Sequence, residues 1–339
     1  MRLRTIAVLA AGALLAPAAS DAAVSPPPPT GAAPVGFARL TLTDHHRTER
    51  LAVPRGGARR LPLRIWYPAS GAGASPANVL TSAEQTYLEA ANSLAAGALD
   101  GIAGTATSGA PAARGKHPVI LLSHGGGTTT AFHAAQASDL ASHGYIVVGI
   151  DHPGDAIAVD DGTGRILKLD PKVDGTGNRP YPVRVADVRY VLDHLGAIRN
   201  AGKLDRSRIG GFGHSAGGSA IETVMLDDRR IDAGAAFEGS IHGAMTKRDL
   251  RRPFGYVAGE TFEDPRFARL LQRFRRHLRG PHPIARHSTT GHNGFTDQIW
   301  LIPQLGLDPA GQELGTVDPA TAVTQQRSWL LGFFGRYVR

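Results

Sequence analysis

The sequence predicts an α/β protein with a largely parallel central sheet flanked by helices and an antiparallel strand pair at its N-terminal end. From Pro118 onward strand-like and helix-like segments alternate, which is the pattern of parallel strands joined by helical crossovers. The runs PVILLSH (118–124) and YIVVGI (145–150) are continuously apolar, as strands covered on both faces must be. A third strand, SRIGGF (207–212), passes straight into a small-residue helix through GHSAGG.

The elements follow in order. MRLRTIAVLAAGALLAPAASDA (1–22) places Arg2 and Arg4 before a short apolar run and a small-residue site, the form of a cleavable signal peptide, so a secreted or periplasmic protein is expected. The apolar run is broken by Gly12 and Pro17 and is shorter than the roughly 20 residues that span a bilayer. Residues 23–36 contain VSPPPPTGAAP and read as an extended spacer. A single α/β catalytic domain is expected over 37–339, with insertions near 78–116 and 154–180. FARLTLTD (37–44) and LPLRIWYP (61–68) have strand alternation and form the antiparallel pair. Residues 80–102 are Ala-rich with helical spacing. DHPGDAIAVDDGTGRILKLD suggests a hairpin around Asp160–Gly164, and the stretch from Val183 to Ile198 is a helix with Val188, Val191, Leu192 and Leu195 on one face. Then come the nucleophile-type turn, strands AAFE and PFGYVAGE, a basic amphipathic helix in PRFARLLQRFRRHLRG (265–280), a last strand in PIARHS and a C-terminal helix in TAVTQQRSWLLGFFGRYV.

Hydrophobic residues make up 42% of the 339-residue chain and charged residues 19%, enough for a packed core and without the signature of disorder. The absence of cysteine excludes disulfides and thiol chemistry. A formal net charge of +8 raises the question of nucleic acid, but no zinc-finger spacing or basic-aromatic RNA motif accompanies it. The arginines of 265–280 read as a solvated helix face, with weak contact to an anionic membrane surface as the alternative.

Gly213-His214-Ser215-Ala216-Gly217 fits G-x-S-x-G between a predicted strand and a predicted helix, the context that presents a serine hydroxyl at a strained turn. Serine needs a base, and His292 in GHNGFTD sits downstream in a glycine-flanked loop, with His287 as the rival. A developing oxyanion needs backbone N–H groups. Gly126, in SHGGG after the first central strand, and Ala216, directly after Ser215, are the expected pair. Two carboxylates compete to orient His292: Glu238 in AAFEGS and Asp264 in GETFEDP. Asp264 also suits a helix N-cap, whereas a carboxylate ending an apolar strand is costly unless paired, so Glu238 is preferred. Asp151, His152 and Asp155 cluster in DHPGD, but without recognised metal-ligand spacing; no metal or organic cofactor is expected.

These residues resemble the α/β-hydrolase superfamily, and within it the platelet-activating factor acetylhydrolase group. LRIWYPA, LLSHGGG, DLASHGYIVVGIDHPG, GHSAGG, AAFEGS and GHNGFTD occur in that group's order between about Phe37 and Pro303. The resemblance implies the α/β-hydrolase fold and hydrolysis of a small-molecule or lipid carboxylic ester by a Ser–acid–His triad, here Ser215, Glu238 and His292, with a preference for short acyl chains. Where the group carries aspartate, this chain has Glu238. A cutinase-like polyester hydrolase or lipase, and a catalytically silent binding protein of the same fold, are the alternatives.

Overall fold

Two long strands, β1 (Val35–Thr48) and β2 (Ala58–Pro68), open the sheet as the antiparallel pair. Phe37 pairs with Trp66 across it, their rings edge to face with centroids 5.3 Å apart. The computed structural model describes residues 24–170, 181–198, 201–241 and 243–338; the expected signal peptide (1–22) and residues 171–180 of the second expected insertion lie outside them. Residues 24–34 run along the body. Val24 is buried, Thr30 donates to Asp139, and Arg327 donates to the carbonyls of Pro27 and Pro28.

Just before the first expected insertion (near 78–116) comes β3 (Ser75–Pro76), and within that stretch lie helix α1 (Ser82–Ala91) and β4 (Thr107–Ser108). Thr81 and Glu84 form a reciprocal capping box that starts α1. The helix ends well short of Ile102, since Asn92, Ser93 at φ 55° and the glycines at 97 and 101 lead the chain into turns. Leu80, Leu88, Leu99 and Ile102 nonetheless bury themselves, and β3 and β4 extend the sheet beyond β1.

The central elements are β5 (His117–Ser123), α2 (Ala134–Ser142), β6 (Ile146–Ile150), the hairpin β7 (Ala158–Asp160) with β8 (Ile166–Lys168), α3 (Tyr181–Asp193), β9 (Leu204–His214) and α4 (Ala216–Asp227). They are followed by β10 (Ala233–Phe237), β11 (Phe254–Ala258), α5 (Pro265–Arg275), β12 (Ile284–Arg286), α6 (Gln298–Gln304) and α7 (Pro319–Tyr337). The ten strands order as β12-β11-β10-β9-β5-β6-β2-β1-β4-β3. β6, β5, β9, β10, β11 and β12 are mutually parallel, and β2 joins β6 antiparallel. The middle strands of this set are buried along their length, as their unbroken apolar runs require.

One apolar cluster under the sheet includes α2, α6 and α7, with Phe212, Phe237 and Phe334 at its centre; the other includes α3, α4 and α5, with Val188, Ile221 and Phe254. Parallel strands put their carboxyl ends on one edge, and β5, β9 and β10 there deliver Ser123, His214 and Phe237 as neighbours. The loops leaving these three strands build the site.

Candidate active site

The turn between β9 and α4 is tight because only glycine fits around it. A Cβ on Gly217 would overlap the Ser123 carbonyl oxygen, and one on Gly213 would overlap the Gly217 carbonyl carbon. Ser215 adopts φ 52°, ψ −121°, a region that a side chain rarely enters and that surrounding structure must enforce. Enforcement comes from hydrogen bonds: the Ser215 N–H donates to the Phe237 carbonyl (2.9 Å), and the Ser215 carbonyl accepts from the Ser240 N–H (3.2 Å). The hydroxyl itself makes no hydrogen bond among the described residues and lies on a half-buried residue, open to an incoming molecule.

Glu238 follows β10, the strand next to Ser215, and also has a positive φ of 44°. Its carboxylate is fully buried and fully bonded. Oε1 accepts from the Gly259 N–H (2.9 Å) and the Thr261 N–H (3.2 Å), and Oε2 accepts from His292 Nδ1 (2.7 Å). Since a carboxylate only accepts, His292 carries its proton on Nδ1 and turns a lone pair outward on Nε2. The His292 side chain is 27% exposed, beside a wholly covered acid. Asp264 is elsewhere: it caps α5 by accepting from the Arg266 N–H (2.8 Å) and pairs with the Arg266 guanidinium. His287 stacks on Phe295 and has no bond to Glu238.

His214 bridges β9 and His292. Its Nε2–H donates to the His292 carbonyl (2.8 Å), and the two rings lie 4.5 Å apart. Burial, with the neighbouring imidazoles, holds it well below the usual histidine range, so it stays neutral and keeps that bond across the working pH.

Gly126 and Ala216 are partly exposed like Ser215 and His292, while Gly125, Gly127 and Gly217 are buried. Neither N–H has a protein acceptor among the described residues, whereas the Gly127 N–H is taken by the Asp155 carbonyl (2.8 Å). Ala216 follows Ser215 at the start of α4, and Gly126 lies in the loop after β5.

Beneath this edge lies a buried polar layer that sequence reasoning did not assemble. The Ser123 hydroxyl donates to His152 Nε2 (2.9 Å), whose Nδ1–H donates to Asp187 (2.9 Å). This is a second Ser–His–Asp chain, but all three side chains are sealed from solvent. Asp187 also pairs with Arg59 and Arg47; Arg59, with the bond from His152, holds its carboxyl far below the ordinary range despite burial, while burial pushes His152 down to about 4. Asp151 pairs with Arg64, and Asp155 with Arg184. The DHPGD groups are thus committed to ion pairs and hydrogen bonds. One signal was present: Arg184 and Asp187 fall on the same α3 face as Val188 and Val191, where charge is out of place unless paired. A separate cavity of about 240 Å³ among Arg39, Leu63, Arg64, Glu84 and Asp160 includes none of Ser215, Glu238 and His292.

The model of the family "Platelet-activating factor acetylhydrolase, isoform II" matches residues 19–160. A ferulic acid esterase from Streptomyces cinnamoneus superposes with a TM-score of 0.78 at 27% identity, over 94% of both chains. The chain has the α/β-hydrolase fold. A dienelactone hydrolase-like promiscuous phosphotriesterase from metagenomic libraries shares that fold at a TM-score of 0.52 and 13% identity, over 89% of this chain and 99% of its own. Among curated proteins the chain is similar to a probable 1-alkyl-2-acetylglycerophosphocholine esterase of Arthroderma benhamiae, 36% identical over 41% of this chain and 36% of that protein. It is also similar to the platelet-activating factor acetylhydrolase of Cavia porcellus, 24% identical over 66% of this chain and 58% of that one. The alignments therefore span about a third to just over half of the length of these curated relatives. Among the described residues no helix is long and apolar enough to cross a membrane.

Proposed function

We propose that the chain is a serine carboxylic ester hydrolase acting through Ser215, His292 and Glu238. The observation that carries the reading is the 2.7 Å bond from His292 Nδ1 to a buried, otherwise satisfied Glu238, one strand away from a serine at φ 52°. His292 Nε2 takes the Ser215 proton as Oγ attacks the acyl carbon. The N–H groups of Gly126 and Ala216 receive the charge that develops on the carbonyl oxygen. His292 then hands its proton to the leaving alkoxide, and an acyl-enzyme remains on Ser215. Water, deprotonated by His292, attacks the acyl carbon; the bond to Ser215 Oγ breaks, Oγ takes the proton back from His292 and the acid is released, while the Glu238 carboxylate balances the imidazolium.

The named relatives support acetyl and other short acyl esters as the substrate class, as does the lack of a long apolar lid segment in the sequence. A second reading, a feruloyl-type ester with an aryl-acrylic acyl group, is favoured by the likeness over 94% of both chains to the ferulic acid esterase. Secretion after removal of residues 1–22, with a single catalytic domain over 37–339, completes the proposal. Turnover of p-nitrophenyl esters of two to twelve carbons, compared with methyl ferulate, tests it. The acetyl ester should lead; a maximum at twelve carbons would overturn the short-chain reading, and a hundredfold preference for ferulate would select the second.

A further inference from the structure

We propose that Arg184 is the positioning residue that aims the Gly126 amide at the oxyanion, an inference resting on the esterase reading above. In a trans peptide the carbonyl of one residue and the N–H of the next point in opposite directions. The direction of the Gly126 N–H is therefore set by whatever holds the Gly125 carbonyl. That carbonyl accepts from Arg184 Nη2 (3.2 Å) and from His124 Nδ1 (2.5 Å). The preceding carbonyl, of His124, accepts from Arg184 Nη1 (2.6 Å). One guanidinium thus draws two consecutive carbonyls towards α3, and the Gly126 N–H is left facing the other way without a protein acceptor among the described residues.

The fork is itself fixed. Arg184 is almost completely buried, its Nε pairs with the Asp155 carboxylate, and the Asp155 main-chain carbonyl takes the Gly127 N–H (2.8 Å). Both sides of Gly126 are therefore tied to the Arg184–Asp155 pair, and only its own N–H is left over. His124 cannot do this alone. Its Nδ1–H reaches the Gly125 carbonyl, but its Nε2 is occupied by the His152 N–H (3.1 Å), and burial with the nearby Arg184 charge keeps the ring neutral. Lysine could not replace the arginine, because one ammonium on a flexible stem cannot present the planar set of donors that meets a carboxylate and two carbonyls together. Arg184 touches no reacting atom; it acts through the loop.

A purely structural role and a positioning role both lower the yield of active protein, so the test uses a ratio that does not depend on how much protein is folded. An ester and its thionoester differ in the atom that bears the developing charge, and sulfur accepts hydrogen bonds from the oxyanion hole poorly. The ratio of kcat/KM for p-nitrophenyl acetate to that for its thionoacetate analogue is measured on one preparation each of wild type, Arg184→Lys and Asp155→Ala, the second variant serving if the first yields no soluble protein. The expected result for Arg184→Lys is a loss of about 100-fold in kcat on the oxo-ester with KM within about twofold, and a fall of at least tenfold in the ratio. Asp155→Ala should shift the ratio in the same direction. A ratio equal to wild type in the soluble variants, whatever the absolute rate, overturns the inference alone. A wild type that hydrolyses neither ester overturns the esterase reading and the inference with it.

Discussion

Replacing Glu238 by glutamine changes one atom and should nearly silence the enzyme. Two backbone N–H groups, of Gly259 and Thr261, point at Oε1 at 2.9 and 3.2 Å. In Glu238→Gln the amide oxygen must take that place, because an NH2 there would face two donors. The NH2 then occupies the position of Oε2, 2.7 Å from His292 Nδ1. A donor facing Nδ1 forces the imidazole into the other tautomer, with its proton on Nε2, where it can no longer accept from Ser215. An orienting acid lost in this way costs about 10⁴-fold in kcat elsewhere, which corresponds to about 5 kcal/mol of transition-state stabilisation. Stopped-flow and steady-state hydrolysis of p-nitrophenyl acetate, with folding checked by circular dichroism, gives kcat directly. A Glu238→Gln protein that is folded and retains kcat within tenfold of wild type would refute the reasoning.

Asp264→Asn should leave kcat within about twofold and the urea midpoint nearly unchanged, since Asp264 is a helix cap and Asn serves there nearly as well; urea unfolding and the same ester assay read both. In Gly217→Ala the new methyl meets the Ser123 carbonyl, so no reactive Ser215 should form, seen as loss of labelling by a fluorophosphonate probe in whatever soluble protein is recovered. Glu222, on α4, has neither carboxylate oxygen hydrogen-bonded among the described residues, and burial pushes its carboxyl up to about 8 from 4.5. The unfolded chain releases this proton first, so its contribution to stability is full below pH 4.5 and is lost as pH rises through 8. Glu222→Gln should abolish that loss, on the order of 4 kcal/mol by the pKa difference, when urea midpoints at pH 5 and pH 8.5 are compared with wild type.

Much of the architecture could be read before any coordinates. Continuous apolar runs marked β5 and β6, alternation marked β1 and β2, and the Asp-Asp-Gly-Thr-Gly turn marked the β7–β8 hairpin. What periodicity could not supply was order across the sheet, because the strand sequence β9-β5-β6-β2-β1 depends on packing between distant segments. The two-residue strands β3 and β4 are too short to carry a pattern, and α6, seven residues with Pro303 inside, escaped for the same reason. In the site, Ser215 and His292 announced themselves through glycine-flanked motifs. Glu238 and Asp264 were separable only by what else each could do, a carboxylate ending an apolar strand against one before a proline that suits a helix cap; in the structure Glu238 accepts from His292 and Asp264 caps α5. Arg184 stayed hidden because a charged residue within an apolar helix face says only that it must be paired, and its partners lie 29 to 61 residues earlier in the chain.

The central claim is that Ser215, and not the buried look-alike Ser123, carries the acyl group. Incubation of the mature protein with a fluorophosphonate, followed by peptide mapping in a mass spectrometer, reads this directly. A single adduct on Ser215, absent in Ser215→Ala together with ester hydrolysis, is the expected result. An adduct on Ser123, or hydrolysis that survives Ser215→Ala, would contradict the account.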